Sequence, residues 1–271
     1  MNRQNVPRVA GMGTVGKALA IMDRVAELGR PVRFAELRDM TGFPKATLHR
    51  LLQTLIEQGM LHYDATAQSY VPGLRVVRFA HAAWAQSSLG PIARPHIEAL
   101  SRRVGEVVHL GQLDRGQVLY VDKCHTGKPI RMFAEAGKIG PGYCTGIGKA
   151  MLAFLPPAER AAAIRLQAFY PHTPQTITNP DSLGDELDAI RLRGFALDRE
   201  EHEVGIHCIA VPILGQGGRM IGGLSVTAST QHTKPDALIA LRPALDDTAR
   251  RIAEAAAPWQ FPALETKGEG A

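Results

Sequence analysis

Three stretches of this sequence hold side chains able to do chemistry. The densest is Asp198-Arg-Glu-Glu-His-Glu-Val-Gly-Ile-His-Cys208, and the strand-like run that it enters is followed by another carrying Ser225 and Thr227. Residues two apart share one face of a strand. Ser225 and Thr227 can therefore present two hydroxyls beside Cys208 in a small polar pocket. The same stretch offers two other chemistries: a metal site drawn from Asp198, His202, His207 or Cys208, or a Cys208 nucleophile activated by a histidine. Neither has the usual spacing, since H-E-x-x-H and C-x-x-C are absent. An isolated strand cysteine more often serves as a small buried hydrophobe.

The second stretch, Gly137 to Ala150, is a glycine-rich loop that feeds a helix. Such a loop can turn backbone N–H groups toward an anion. It is not a nucleotide loop, because Tyr143 stands where G-x-x-x-x-G-K-[ST] needs glycine and Ala150 where it needs a hydroxyl. What remains is a carboxylate-sized cradle at Gly146, Ile147 and Gly148, or glycines serving a tight turn alone; the sequence leaves both open. The third stretch is Lys45 to Gln53. Leu48, Leu51 and Leu52 mark a buried stripe, and Lys45, Thr47, His49, Arg50 and Gln53 form the opposite polar face. That pattern suits a helix laid in the major groove of DNA, with Arg50 able to bond a guanine edge twice and Lys45 suited to a phosphate.

The elements needed to hold these residues are legible in outline. Helical stripes run over Val15 to Leu28, Arg33 to Met40 (Leu37 and Met40 inward) and Lys45 to Gln58. Two short runs, Met60 to Tyr63 and Ser69 to Val71, then read as a hairpin. Three helices and a hairpin make a winged helix-turn-helix unit over residues 13–73. Leu74 to Ser88 is a linker helix over residues 74–89, too apolar for a solvated connector, which suggests packing against a partner copy. Beyond it, residues 90–258 alternate helices (Ile92 to Val104, Gly148 to Leu155, Pro157 to Leu166, Ser182 to Arg193, Pro235 to Ala257) with strands (Glu106 to Leu113, Gln117 to Lys123, Phe195 to Arg199, His207 to Leu214, Arg219 to Ala228). Hairpin-linked strands with helices between them predict an α+β sheet covered by helices on one face. Residues 259–271 read as a flexible tail.

Composition narrows the function classes. The 271 residues are 45% hydrophobic and 21% charged, which builds a core and excludes wholesale disorder. No apolar run is long enough to span a bilayer, and residues 1–13 lack the apolar segment of a secretory signal. Cys124, Cys144 and Cys208 are odd in number and widely spaced, which disfavours a disulfide framework and fits a reducing cytoplasm. Lys and Arg exceed Asp and Glu by 31 to 26, and residues 1 to 73 hold nine of the former against six of the latter. That balance permits nucleic-acid contact without establishing it.

Taken together, the sequence resembles the IclR family of bacterial transcriptional regulators from about Val15 to Ala257. The resemblance is carried by Phe43-Pro-Lys-Ala-Thr-Leu-His-Arg-Leu-Leu, by Cys144-Thr-Gly-Ile-Gly-Lys-Ala-Met-Leu-Ala, and by Gly194-Phe-Ala-Leu-Asp-Arg-Glu-Glu-His-Glu-Val-Gly-Ile-His-Cys-Ile-Ala. The last run is similar to the family signature through Gly194, Asp198, Glu201 and Cys208-Ile209-Ala210. It departs at Leu214-Gly215, where an aromatic and an Asp or Asn are usual. The resemblance implies a winged helix domain, a dimerising linker helix and a GAF-like effector domain that binds a small organic acid: a sugar acid, keto acid or aromatic acid. It further implies that Asp198, Cys208, Ser225 and Thr227 hold the ligand and that Gly146 and Ile147 supply backbone donors.

The expected protein is thus a ligand-responsive regulator of double-stranded DNA. It would act as a homodimer or tetramer on a roughly palindromic site, without a cofactor, metal or membrane. The competing reading is a small-molecule enzyme built on His202, His207 and Cys208. Because an ionised carboxylate repels an anion, Asp198 is expected to accept from a ligand hydroxyl or to orient a neighbour.

Overall fold

Leucines at three- and four-residue spacing decide the first part of the chain. In the computed structural model, which describes residues 13–87, 89–125 and 132–258, they close a core of Ile21, Val25, Leu37, Leu48, Leu51, Leu52, Leu55 and Leu61. Three helices supply it: α1 (Thr14–Leu28), α2 (Phe34–Thr41) and α3 (Lys45–Glu57). Gly42 ends α2 at φ 67°, a left-handed conformation that glycine adopts without steric cost and that turns the chain into α3. A two-residue strand β1 (Val32–Arg33) and the hairpin β2 (Leu61–Asp64) and β3 (Ser69–Pro72) form a small antiparallel sheet in the order β1-β3-β2. This is a winged helix-turn-helix.

Two details differ from expectation. β1 was not anticipated, because two residues are too few to show an alternation. Met40 is only half-buried; Thr41 takes the core position, its hydroxyl donating to the Leu37 carbonyl at 2.7 Å.

Helix α4 (Leu74–Ser87) follows, its first turn tied back to the wing side by Arg75, which donates to the Gln58 carbonyl and side chain. Leu74, Val77, Phe79 and Trp84 are exposed on it. Ser88, the expected end of the linker helix, and residues 259–271, the expected tail, lie outside the described residues. The chain divides into two units between Gln86 and Ser87.

The second unit is built on a six-stranded antiparallel sheet in the order β6-β5-β4-β9-β8-β7, from β4 (Val107–Asp114), β5 (Gln117–Cys124), β6 (Ile139–Gly140), β7 (Ala196–Arg199), β8 (Ile206–Leu214) and β9 (Met220–Ser229). The β4–β5 turn places Arg115 and Gly116 both at positive φ (49° and 79°), the conformation that a two-residue hairpin turn with right-handed twist requires. Helices cover both faces, not one. Alternate residues of β8 explain this: Ile209, Val211 and Ile213 pack beneath α5 (Gly90–Val104) and α10 (Arg242–Ala255), whereas Cys208 and Ala210 face α6 (Gly146–Ala153). Helices α7 (Pro157–Arg165) and α8 (Pro180–Arg193) pack outside α6. The expected closing helix is two, α9 (Pro235–Ile239) and α10, because Pro243 lacks the N–H that a continuous helix needs and so sits in the first turn of a new one.

Candidate functional site

Helix α3 presents a polar face to solvent. Lys45, His49, Arg50 and Gln53 are exposed and Thr47 is half-buried, opposite the leucine stripe. Among the described residues no ion pair engages Lys45 or Arg50. Other arginines of this unit are occupied: Arg24 with Glu27, Arg38 with Asp39, and Arg30 with Glu36 at 2.6 Å. The Arg30 bond and the Arg33 N–H hold the Glu36 carboxyl down at about 2. The wing, Leu61 to Pro72, contains no lysine or arginine. Positive charge free to meet a phosphate therefore lies on the helices, with Lys45 and Arg50 at the reading face.

In the second unit, strand register gathers distant residues on the face that α6 covers. Asp198 on β7 pairs with Cys208 on β8, which pairs with Thr227 on β9, and Ser225 pairs with His109 on β4. Over them sits the N-terminus of α6. It can come this close because the sheet has glycine where it crosses: a Cβ on Gly111 would stand 2.9 Å from Ile147, and one on Gly223 2.8 Å from Met151. A Cβ on Gly146 would stand 2.5 Å from the Cys208 sulfur. The result is a cavity of about 40 Å³, room for a few water-sized groups, whose wall includes Gly146, Ile147, Asp198, Cys208, Ser225 and Thr227. All six expected pocket residues line it.

The α6 terminus leaves amides to spare. The Thr145 side chain accepts from Gly148 N–H and its carbonyl from Lys149 N–H, so Ile147 carries an unspent donor, while Gly146 N–H donates to the Cys208 sulfur. Sequence reasoning missed His109, Tyr120 and Thr145, which share the wall. His109 is fully buried, its Nδ1 lies 3.3 Å from the Thr227 hydroxyl, and its Nε2 has no hydrogen-bond partner.

A buried ion pair braces the wall. Lys149 on α6 donates to both oxygens of Glu201 at 2.5 and 2.6 Å, and Glu201 N–H in turn donates to Asp198 Oδ1 at 2.8 Å. The Thr176 hydroxyl donates to the Glu201 carbonyl and the Thr173 hydroxyl to the Glu200 carbonyl, which holds this loop in place. Burial and the neighbouring Glu201 raise Asp198 to about 7. Burial lowers His109 to about 3 and His202 to about 4, keeping both neutral near pH 7. Burial, then Asp198, pushes the Cys208 thiol up, so it is not a ready nucleophile. His207 is the strand neighbour of Cys208 and faces away from it, which breaks the metal set and the closest histidine–cysteine pair. Among the described residues no three His, Cys, Asp or Glu groups are placed to share a metal ion.

Sequence-family models match the chain twice: the IclR helix-turn-helix domain over residues 14–65 and the bacterial transcriptional regulator IclR C-terminal domain over residues 81–254. The chain belongs to the IclR family. Among curated IclR-type relatives, the HTH-type transcriptional regulator BhcR of Paracoccus denitrificans is 32% identical over 92% of this chain and 88% of its own. The crystal structure of the Thermotoga maritima IclR is 29% identical, with a TM-score of 0.69 over 89% of this chain and 97% of that one. An IclR homologue from Microbacterium hydrocarbonoxydans, solved with 4-hydroxybenzoate, shares the fold at 20% identity, with a TM-score of 0.75 over 90% and 98% of the two chains. The IclR C-terminal match spans both the α6 loop and β7 to β9, the segments that build the cavity.

Proposed function

We propose that this protein regulates transcription by binding a roughly palindromic operator through α3, with an affinity set by a small organic acid in the second unit. The observation that carries the reading is a cavity whose wall brings together the hydroxyls of Ser225 and Thr227, the Cys208 thiol and the backbone of Gly146 and Ile147 at the α6 terminus. Converging hydroxyl, thiol and amide donors suit the reversible binding of an acid. The relative solved with 4-hydroxybenzoate supports an acid as the ligand class. We assign residues 13–73 to DNA binding, 74–89 to linkage and dimerisation, and 90–258 to effector binding. The exposed apolar residues of α4 suit a second copy, and two copies fit a two-fold site. Work on chromosomal DNA places the protein in the cytoplasm; no helix among the described residues is long and apolar enough to cross a membrane.

Binding-site selection from a random duplex pool, followed by titration at fixed salt, tests this. The expected result is enrichment of a sequence with two related half-sites. Arg50→Ala should weaken binding to it by about 1–3 kcal/mol and relax preference at one position per half-site. A pool that never enriches, or an Arg50→Ala protein with unchanged selectivity, overturns the assignment of α3.

A further inference from the structure

Among the described residues, the wall of the cavity assigned above to an acid holds no cation. Its ionisable members are His109 and His202, both neutral through burial, the Cys208 thiol, the Tyr120 phenol, Asp198 and Glu203. The nearest buried cation, Lys149, is already engaged: Glu201 takes it with both oxygens, and Glu186, itself paired with Arg193, stands 3.7 Å away. With Asp198 ionised, the group Lys149, Glu201 and Asp198 would carry one uncompensated negative charge out of water. An entering carboxylate would add a second. Lys123, which bears on His109, is already held by Glu135 and the Ala134 carbonyl, so among the described residues the α6 terminus, worth roughly half a positive charge, is what remains to offset both. A buried site in that position takes up a proton.

The surroundings of Asp198 decide where the proton goes. Glu201 from its own loop, Cys208 from β8, Tyr120 from β5 and Cys144 ahead of α6 either disfavour its charge or are themselves neutral. His202, stacked 4.7 Å from His172, supplies no charge. Only Lys149 and backbone N–H groups favour the ionised form. Glu203, the other wall carboxylate, accepts from Phe133 N–H.

We propose that the effector's carboxylate enters together with one proton from solvent, which Asp198 takes and then donates in a hydrogen bond to the bound acid, while Ile147 donates its amide to it. The inference rests on the acid-pocket reading above. It gives Asp198 a different role from the one the sequence suggests: the carboxyl donates to the ligand in place of accepting from it. The pH dependence follows in sign. Below the free group's value of about 7 the proton is already present and affinity is flat. Above it, each further pH unit weakens binding about tenfold until the higher value of the complex is reached.

The test uses the full chain and a panel of acetate, lactate, pyruvate and 4-hydroxybenzoate. Thermal shifts at about pH 6 and about pH 8 give relative affinities, and calorimetry in phosphate and Tris buffers gives the protons exchanged. The expected result is binding about tenfold tighter at the lower pH, with close to one proton taken up per site at the higher. Asp198→Asn, neutral at every pH and still a donor, should bind with the pH dependence gone. Equal affinity at both pH values with no proton uptake overturns the proposal and leaves the acid pocket standing. If no acid stabilises the protein at either pH, the pocket reading falls and the proposal with it. Should Asp198→Asn not fold, proton uptake by the unaltered protein decides alone.

Discussion

His109 combines features rarely kept without a use. The ring is buried, held neutral, and leaves Nε2 without a partner. An unmet buried polar atom costs about 1–3 kcal/mol; replacing His109 by an apolar side chain removes the unmet Nε2 but leaves the Thr227 hydroxyl unmet, so the two changes roughly offset. If the Thr227 hydroxyl donates to Nδ1, the proton sits on Nε2 and is offered to whatever fills the cavity. His109→Leu should therefore leave the urea midpoint nearly unchanged, within about 1 kcal/mol, yet weaken acid binding roughly tenfold or more. A variant that loses stability but binds acids normally would show that the ring serves packing alone. His109 was not legible in advance because its place depends on β4 lying beside β9, and Thr227 is 118 residues away in the chain. Ser225, Thr227 and Cys208 were legible because they share one hairpin, where period-two alternation is a local property. Gly146 and Ile147 were legible as a possible anion cradle in the glycine-rich loop and Asp198 as part of a dense titratable run, but their roles toward a ligand came through the family pattern.

At the scale of elements, the polar residues of the pocket also misled. His109, Ser225, Thr227 and Cys208 give β4, β8 and β9 the alternation of strands with one wet face, which predicts helices on the other face only. That polar face is instead roofed by α6, all eight of whose residues are buried. The helix-turn-helix, by contrast, was legible nearly to its ends, because leucine stripes and Gly42 are local signals; β1 and β6 were too short to leave one. α6 must be fixed to the loop after β7 for the cavity to exist, and Lys149 with Glu201 fixes it. Removing one member of a buried pair strands the other's charge, at about 3–5 kcal/mol, whereas removing both costs far less. Lys149→Met should accordingly lower the urea midpoint strongly, and Lys149→Met with Glu201→Leu should recover most of the loss. Equal damage from the single and double variants would assign the effect to lost volume and not to unpaired charge. Only the double variant should still show the acid-dependent thermal shift, and weakly, because Glu201 N–H would remain to hold Asp198.

At the scale of the whole molecule, two units joined by one helix must share a single free-energy balance. An acid in the second unit can change operator affinity only if it binds one arrangement of the protein more tightly than another. Linkage then makes the effect reciprocal: the factor by which the acid changes operator affinity equals the factor by which the operator changes acid affinity. Couplings of about 1–3 kcal/mol correspond to changes of roughly 5–150-fold. α4, which begins against the end of α3 through Arg75 and carries Leu74, Val77 and Trp84 exposed along one side, is the element a second copy would read. Val77→Glu on that face should therefore reduce operator affinity and erase the coupling while acid binding persists, since the cavity lies within the second unit. Anisotropy titrations of operator with and without acid, set against calorimetric titrations of acid with and without operator, close the cycle. Two factors that agree establish communication between the sites. An operator affinity that shifts with acid while acid affinity ignores operator would mean that the acid acts elsewhere, and a Val77→Glu protein with full coupling would remove α4 from its route.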